Sequence, residues 1–260
     1  MKSIIIITYN SEKYIENCLN SVYKNISDQD EVFVIDNNSQ DKSVNIVEYI
    51  KNNKKNLYFI KNNNNSGFAR AVNQGIKKSN GEYIFLINPD TEFEDNSLDN
   101  LIVLANKNNK LGIAGVCQKN NYNKFISSWG NFPNRYSKLI RKLKLNRFLS
   151  IGDWTSYNYL NKNLFMTNRK VDWVSGGFML IKREVINKVG LFDENFFMYY
   201  EDVDYCKRAV DAGFEVWYFG KIQVMHFAGA SSNRRKNYIG SLSRKSLDYY
   251  LKKHEYFVNQ

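Results

Sequence analysis

Residues 3–22 read "SIIIITYNSEKYIENCLNSV", and the stretch changes period halfway along. Its first half is a β-branched apolar run that stops at the polar residues Thr8, Tyr9 and Asn10. In the second half Tyr14, Ile15, Cys18, Leu19 and Val22 recur at helical spacing, with Asn10 or Ser11 placed to cap the helix. A strand without polar alternation is buried on both faces, so the helix after it covers one face of a sheet. The same alternation repeats downstream. "EVFVID" (31–36) is a second strand, followed by a helix carrying Val44, Val47 and Ile50. "LYFIK" (57–61) is a third, with a helix opening near Ser66 and Gly67. "EYIFLIN" (82–88) is a fourth; "SLDNLIVLANK" (97–107) then reads as helix and "LGIAGV" (111–116) as strand. Together these predict an α/β protein whose mostly parallel central sheet is flanked by helices. In such sheets ligands sit beyond the carboxyl ends of the strands. Thr8-Tyr9-Asn10, Asp36-Asn37-Asn38 and Asn88-Pro89-Asp90 all fall at those ends, and they point to one crevice.

The chain of 260 residues is 43% hydrophobic and 15% aromatic, which excludes a disordered protein and allows a sizeable core. A net charge of +11 suits anionic partners: phosphorylated small molecules, a membrane surface or nucleic acid. Solubility alone is the plainer reading of that charge. Cys18, Cys117 and Cys206 are odd in number and widely spaced, so neither a disulfide framework nor a zinc site is indicated. Reduced, buried thiols in a cytoplasmic protein are expected. The run Ile4 to Ile7 is too short for the apolar core of a signal peptide, and no window approaches a membrane span. Glycine-rich phosphate loops of the G-x-G-x-x-G and G-x-x-x-x-G-K-[ST] types are missing. Phosphate binding then calls for another device, usually a divalent metal.

The second half departs from the alternation. Residues 119–147 hold eight Lys or Arg and no Asp or Glu. Within that region "RYSKLIRKLKLNRFL" (135–149) interleaves Leu139, Ile140, Leu143 and Leu145 with basic residues. Such a helix either lies at a membrane interface or packs its apolar side on the sheet. "VDWVSGGFMLIKR" (171–183) returns to strand-like composition around Gly176 and Gly177. "EDVDYCKRAVDAGF" (201–214) puts Val203, Cys206, Ala209 and Val210 on one helical face, with Gly213 at its end. "EVWYF" (215–219) and "IQVMHF" (222–227) read as two short strands, and the chain from 231 onward is basic and amphipathic.

Three places hold candidate chemistry. Asp90 lies just past a strand end, behind the rigid Pro89; it is either a metal ligand or part of a turn that starts a helix. In "FDENFFMYYEDVDYCKR" (192–208) five acids stand among aromatic residues. The dipole of a helix N-terminus accounts for Glu201 and Asp202 by itself, yet partial desolvation by Phe196, Phe197, Tyr199 and Tyr200 is how a base acquires a useful pKa. His226, one of two histidines, ends a strand; a structural role or ligation both fit it.

Taken in order, these motifs resemble the family 2 glycosyltransferases of the GT-A fold. Within them the chain is most similar to the bacterial rhamnosyltransferase-like branch that builds cell-surface polysaccharides. The stretches that carry the resemblance are "IIIITYNSEKYIENCLNS", "VFVIDNNSQDKS", "NNSGFARAVNQGI", "YIFLINPDTEF", the long run from "WVSGGFMLIKR" to "EVWYF", and "VMHFAGAS". The resemblance implies a Rossmann-like GT-A domain over 1–232, with a nucleotide-binding half (1–116), a variable basic acceptor region (117–170) and a catalytic half (171–232). A basic amphipathic tail follows at 233–260.

It also implies roles. Thr8, Tyr9 and Asn10 would line the nucleoside pocket, with Asp36 reading the base, and Asn65, Arg70 and Asn73 would cover the nucleotide. Asp90 would hold Mg²⁺ or Mn²⁺ on the donor pyrophosphate, with His226 completing that shell. Asp202 would be the general base, and Trp173, Gly176 and Glu201 would shape the sugar and acceptor pocket. Asn88 stands where the family usually has the first acid of D-x-D, and an amide brings hydrogen bonds without charge. The implied reaction is inverting transfer of a sugar, with rhamnose the branch's typical one, from a dTDP- or UDP-linked donor to a glycan or lipid-linked acceptor. The implied place is the cytoplasm, with the basic segments attaching to the inner face of the cell membrane. A sugar-nucleotide nucleotidyltransferase lacks support, because no glycine-rich, arginine-containing loop follows the first strand. A nucleic-acid-binding protein lacks any recognisable module for that task, so no nucleic-acid partner is expected.

Overall fold

All of β1 (Lys2–Thr8) is buried, since it pairs in parallel with a strand on each side and carries helices above and below. The computed structural model describes residues 1–134, 162–227 and 236–255. After β1 come α1 (Ile15–Tyr23), β2 (Glu31–Asp36), α2 (Ser43–Asn52), β3 (Leu57–Lys61), α3 (Phe68–Lys78) and β4 (Tyr83–Ile87). Next are β5 (Thr91–Phe93), α4 (Ser97–Ala105), β6 (Leu111–Lys119), β7 (Phe125–Ile126) and β8 (Trp129–Gly130). The remainder is α5 (Lys162–Phe165), β9 (Arg169–Val171), β10 (Trp173–Val174), β11 (Phe178–Lys182), α6 (Arg183–Val189), α7 (Glu201–Asp211), β12 (Glu215–His226) and α8 (Lys236–Glu255).

The main sheet runs β3-β2-β1-β4-β11-β6-β12-β5. Strands β3, β2, β1 and β4 are mutually parallel, as are β6 and β12, while β11 runs antiparallel between β4 and β6. Period-two alternation divides the interior into two cores. Ile4, Ile6, Val32, Val34, Phe85 and Phe178 face α1, α2 and α4, whereas Ile5, Ile7, Phe33, Ile35, Leu86 and Met179 face the other layer. That second layer is built from α3, α6, α7 and α8. Each isoleucine so enclosed contributes about 1.5–3 kcal/mol, and this is why the middle positions of β1, β2 and β4 are apolar.

Three elements differ from the sequence expectation. The segments 215–219 and 222–227 are one strand, β12, with a register shift between Phe219 and Gln223. It pairs with β6 on both sides of that shift; along its other edge β9 pairs with its first part and β5 with its end, setting His226 opposite Thr91. A strand that bulges bends, and the bend brings both partners within reach. Helix α1 begins at Ile15 without a side-chain cap; the carbonyl of Ser11 instead accepts the Tyr14 and Ile15 amides in a preceding turn. The C-terminal helix α8 spends its apolar side on the body of the protein, where Leu247, Tyr250 and Leu251 are buried. Those side chains are therefore not offered to a bilayer. The basic stretch 135–149 lies outside the described residues. Cys18, Cys117 and Cys206 are buried free thiols, as expected, and no helix among the described residues is long and apolar enough to cross a membrane.

Candidate active site

Strands β1, β2, β4, β6 and β12 all deliver their carboxyl ends to one edge of the sheet. At the end of β1 the Thr8 hydroxyl donates to Asp36 Oδ1 at 2.8 Å, and the Ser39 amide donates to Asp36 Oδ2 at 2.8 Å. Asp36 is buried and so is held in a single orientation. Asn10 and Asn38 adopt left-handed backbone conformations, which Asn tolerates better than most residues. The Asn10 side-chain oxygen accepts the Gln40 amide at 2.7 Å, while Tyr9 stays 44% exposed over the same edge.

Asn65 accepts the amide of Gly67, whose φ of 88° and close approach to Phe197 leave no room for a side chain. An added Cβ there would lie 2.6 Å from the Phe197 carbonyl oxygen. Arg70 pairs with Glu194 at 3.0 Å and remains largely exposed. Asn73 is buried and faces away from solvent: it exchanges two hydrogen bonds with the backbone of Phe192 and donates to Glu194. Its amide thus ties α3 to the loop ahead of α7.

Asn88, Asp90 and His226 converge. His226 Nε2 lies 3.1 Å from Asp90 Oδ1 and 3.4 Å from the Asn88 amide nitrogen. The other ring nitrogen, Nδ1, sits 2.7 Å from Gln118 Oε1. An amide oxygen only accepts, so the proton is assigned to Nδ1 and the Nε2 lone pair faces Asp90. Two acceptors at that distance need a proton or a cation between them. A separation near 3 Å is also what adjacent ligands about 2.1 Å from one octahedral ion make, and oxygen with imidazole suits Mg²⁺ or Mn²⁺. The donor set fits such an ion when phosphate oxygens and water supply the other positions. Among the described residues no cluster of three or more His, Cys, Asp or Glu converges on one point.

Asp202 stands in the first turn of α7, where its Oδ2 accepts the Gly176 amide at 3.0 Å and its Oδ1 the Val203 amide at 2.8 Å. Burial pushes its pKa up against those two bonds. Burial first, and the Asp202 charge second, raise the neighbouring Glu201 well above the ordinary carboxylate range. Glu201 Oε2 is buried with no hydrogen-bond partner among the described residues. Just before this pair Tyr199 and Tyr200 both take left-handed conformations, with φ of 70° and 67°. Trp173 is buried in the core with its indole N–H donated to the Asn131 carbonyl, so it supports the pocket wall from behind.

Two consecutive glycines join these halves. The Gly176 amide holds Asp202, while the Gly177 carbonyl accepts the Asn88 amide at 2.9 Å. A Cβ on Gly177 would meet His226 Cε1 at 3.1 Å and the Asn88 amide nitrogen at 3.3 Å. Sequence reasoning missed Gln118, although the strand-end rule would have found it near the carboxyl end of β6. Gly177 and the acid Glu194 stood out in the sequence without a role, because their importance depends on what the fold brings against them.

The comparisons with known proteins agree with this geometry. A family model described as "Glycosyl transferase family 2" matches residues 3–190. The chain is 26% identical to N-acetylglucosaminyl-diphospho-decaprenol L-rhamnosyltransferase of Mycobacterium tuberculosis, covering 89% of this chain and 77% of that protein. It is 23% identical to the rhamnosyltransferase WbbL of Escherichia coli, over 88% of this chain and 84% of that one. Among solved structures, S. aureus TarS 1-349 superimposes with a TM-score of 0.60 at 18% identity, over 96% of this chain and 69% of that one. The mannosyltransferase PcManGT from Pyrobaculum calidifontis, in complex with GDP-Man and Mn²⁺, gives 0.60 at 16% identity, over 89% of this chain and 58% of that one. The fold is that of the GT-A glycosyltransferases, and the chain is a glycosyltransferase belonging to family 2.

Proposed function

We propose that the protein transfers a sugar, with inversion, from a nucleoside-diphosphate donor to a hydroxyl of a glycan or lipid-linked saccharide. The observation that carries this reading is the Gly176-Gly177 junction, which couples Asp202 on one side to Asn88, Asp90 and His226 on the other. An acceptor activated by Asp202 would then meet a donor whose pyrophosphate rests against Asp90.

In this reading Thr8, Tyr9, Asn10 and Asp36 hold the nucleoside, and Asn65, Arg70 and Asn73 organise the helix that flanks it. Asp90 and His226 would hold the divalent ion, which supplies charge to the departing nucleoside diphosphate. Asn88 places its amide beside them and adds no charge of its own. Asp202 Oδ1 and Oδ2 each accept one backbone amide, so lone pairs remain to take the acceptor's proton. Raised basicity suits that task, because a base works best with a pKa close to the operating pH. The proton moves to Asp202 as the acceptor oxygen attacks the anomeric carbon and the bond to the diphosphate breaks. Trp173, Gly176 and Glu201 would shape the cavity around the sugar.

The donor sugar follows from relatives named as rhamnosyltransferases, which makes dTDP-rhamnose the first donor to offer. One of those relatives is named for a diphospho-decaprenol substrate, and this supports a lipid-linked acceptor reached at the cytoplasmic membrane face. The net charge of +11 supports electrostatic attachment there. The deciding experiment is donor turnover with Asp202→Asn. Transfer should fall by about a hundred- to ten-thousandfold while nucleotide binding survives. Wild-type turnover in that variant would sink the assignment.

A further inference from the structure

The loop between α6 and α7 carries the two strained tyrosines that aim the first turn of α7, and the described C-terminal helix grips that loop at both ends. Lys253 Nζ lies 2.7 Å from Asp193 Oδ2 at the loop's start and 2.7 Å from Asp204 Oδ1, two residues beyond Asp202. Tyr249 donates to Asp193 at 3.0 Å, and Ser246 donates to the Met198 carbonyl at 2.8 Å. His254 and Arg208 complete the ring of partners on Asp204 at 2.8 and 2.9 Å. Burial alone would raise both carboxyls. Lys253 foremost holds Asp193 down at about 2, while His254, Arg208 and Lys253 in that order hold Asp204 below its ordinary range.

Successive non-glycine residues at positive φ cost about 1–3 kcal/mol each and persist only where their surroundings over-determine them. Tyr199 and Tyr200 are such a pair, and the contacts that over-determine them come from two directions. On the donor side the Phe68 amide at the start of α3 donates to the Phe197 carbonyl at 2.8 Å. On the other side stands α8. The gripping residues Ser246, Tyr249, Lys253 and His254 all lie on α8, beyond the 3–190 region matched by the family model.

Resting on the assignment of Asp202 as the base, we infer that Lys253 is a positioning residue: by bridging Asp193 and Asp204 it sets where the Asp202 carboxylate stands against Gly176. Lys253→Met removes the charge and keeps most of the stem. Hydrogen exchange then reads the position of Asp202 without any substrate, through the Gly176 and Val203 amides that its carboxylate accepts. In Lys253→Met both should exchange at least about tenfold faster, with the amides of β1 and β4 unchanged. Lys253→Arg, which can bridge two carboxylates, should restore wild-type rates. With dTDP-rhamnose and Mn²⁺, kcat should fall by about ten- to a hundredfold while the donor KM stays level, the signature of a misplaced base. Should Lys253→Met fail to fold, Tyr249→Phe removes only the hydroxyl on Asp193 and should give the same exchange pattern more weakly. Faster exchange confined to residues 246–253, or no change at Gly176, overturns the proposal. Asp202→Asn in the same assay separates the two ideas: its full activity would remove the base assignment, whereas an inactive Asp202→Asn beside a fully active Lys253→Met would remove the positioning role alone.

Discussion

Replacing Gly177 by alanine puts one methyl carbon 3.1 Å from His226 Cε1, 3.3 Å from the Asn88 amide nitrogen and 3.4 Å from Gln118 Oε1. Carbon atoms rest about 3.5–4.0 Å apart, so the imidazole must retreat by roughly half an ångström. That ring is pinned on both nitrogens, by Gln118 at 2.7 Å and Asp90 at 3.1 Å, and has no slack to give. Gly177 has an ordinary φ, so the entropic gain of alanine over glycine, about 0.4–1 kcal/mol, acts in the opposite direction. Overpacking costs about 1–3 kcal/mol and should win. The loss is directed at Asp90 and His226, the pair proposed to hold the ion, where disturbing an orienting contact typically lowers metal affinity by about ten- to a hundredfold. Calorimetric titration of dTDP or UDP in the presence and absence of Mn²⁺ reads this directly. The metal-dependent increment should shrink by that factor, while the metal-free melting temperature falls by no more than about 2–4 °C per kcal/mol of overpacking. Unchanged Mn²⁺-dependent binding in Gly177→Ala would refute the convergence of Asp90 and His226 on one ion.

Other outcomes can be stated as directly. Asp90→Ala should abolish most of the Mn²⁺-dependent heat, at least about tenfold in apparent affinity, leaving metal-free nucleotide binding nearly intact. Glu201→Gln should stabilise the protein at high pH. The folded-state pKa of Glu201 lies above its unfolded value of 4.5, so the folded state binds the extra proton and wild-type stability declines as pH rises through that interval. The variant's melting temperature should match wild type near pH 4.5 and exceed it at pH 8; the reverse order would show Glu201 to be stabilised as an anion. Sedimentation with anionic vesicles should be measurable at low salt and lost at high salt, since Leu247, Tyr250 and Leu251 of α8 are buried against the protein and not free to insert. Binding that survives high salt would contradict attachment by charge alone.

Much of this was legible in the sequence, for physical reasons that differ from residue to residue. The strands β1, β2 and β4 announce themselves because burial on both faces keeps their middle positions apolar, and the polar residue at or just past the end of each marks the ligand edge. Asp36, Asp90 and His226 stand at strand ends, as that rule expects, and Asp202 lies in the first turn of α7. Less legible was anything that depends on a distant partner. The position of β11, antiparallel between β4 and β6, has no local signature because a buried strand reads alike in either direction. Asn73 looks from its motif like a residue that faces the nucleotide, yet its side chain is consumed by Phe192 and Glu194, more than a hundred residues away. The single strand β12 was read as two because Gly220 and Lys221 interrupt the apolar pattern. Gly220 is there because Phe165 passes so close that a Cβ would lie 2.4 Å from its carbonyl oxygen.

The shifted register of β12 makes chain length itself a determinant of catalysis. Between the pair Phe219–Val116 and the pair Gln223–Cys117, one strand advances by four residues while its partner advances by one. Beyond that surplus β12 is still paired with β6 and takes β5 on its other edge, with His226 beside Asp90. No side chain in 220–222 belongs to the candidate site, yet only the exposed Lys221 is open to mild substitution, since Gly220 is held by the close passage of Phe165 and Ile222 packs on the core. One deletion would turn the strand's alternation over, moving the imidazole to the opposite face of the sheet. Homologous chains should therefore vary freely at the position of Lys221 but conserve the count of this interval, a signature that an alignment scored only by residue identity would overlook.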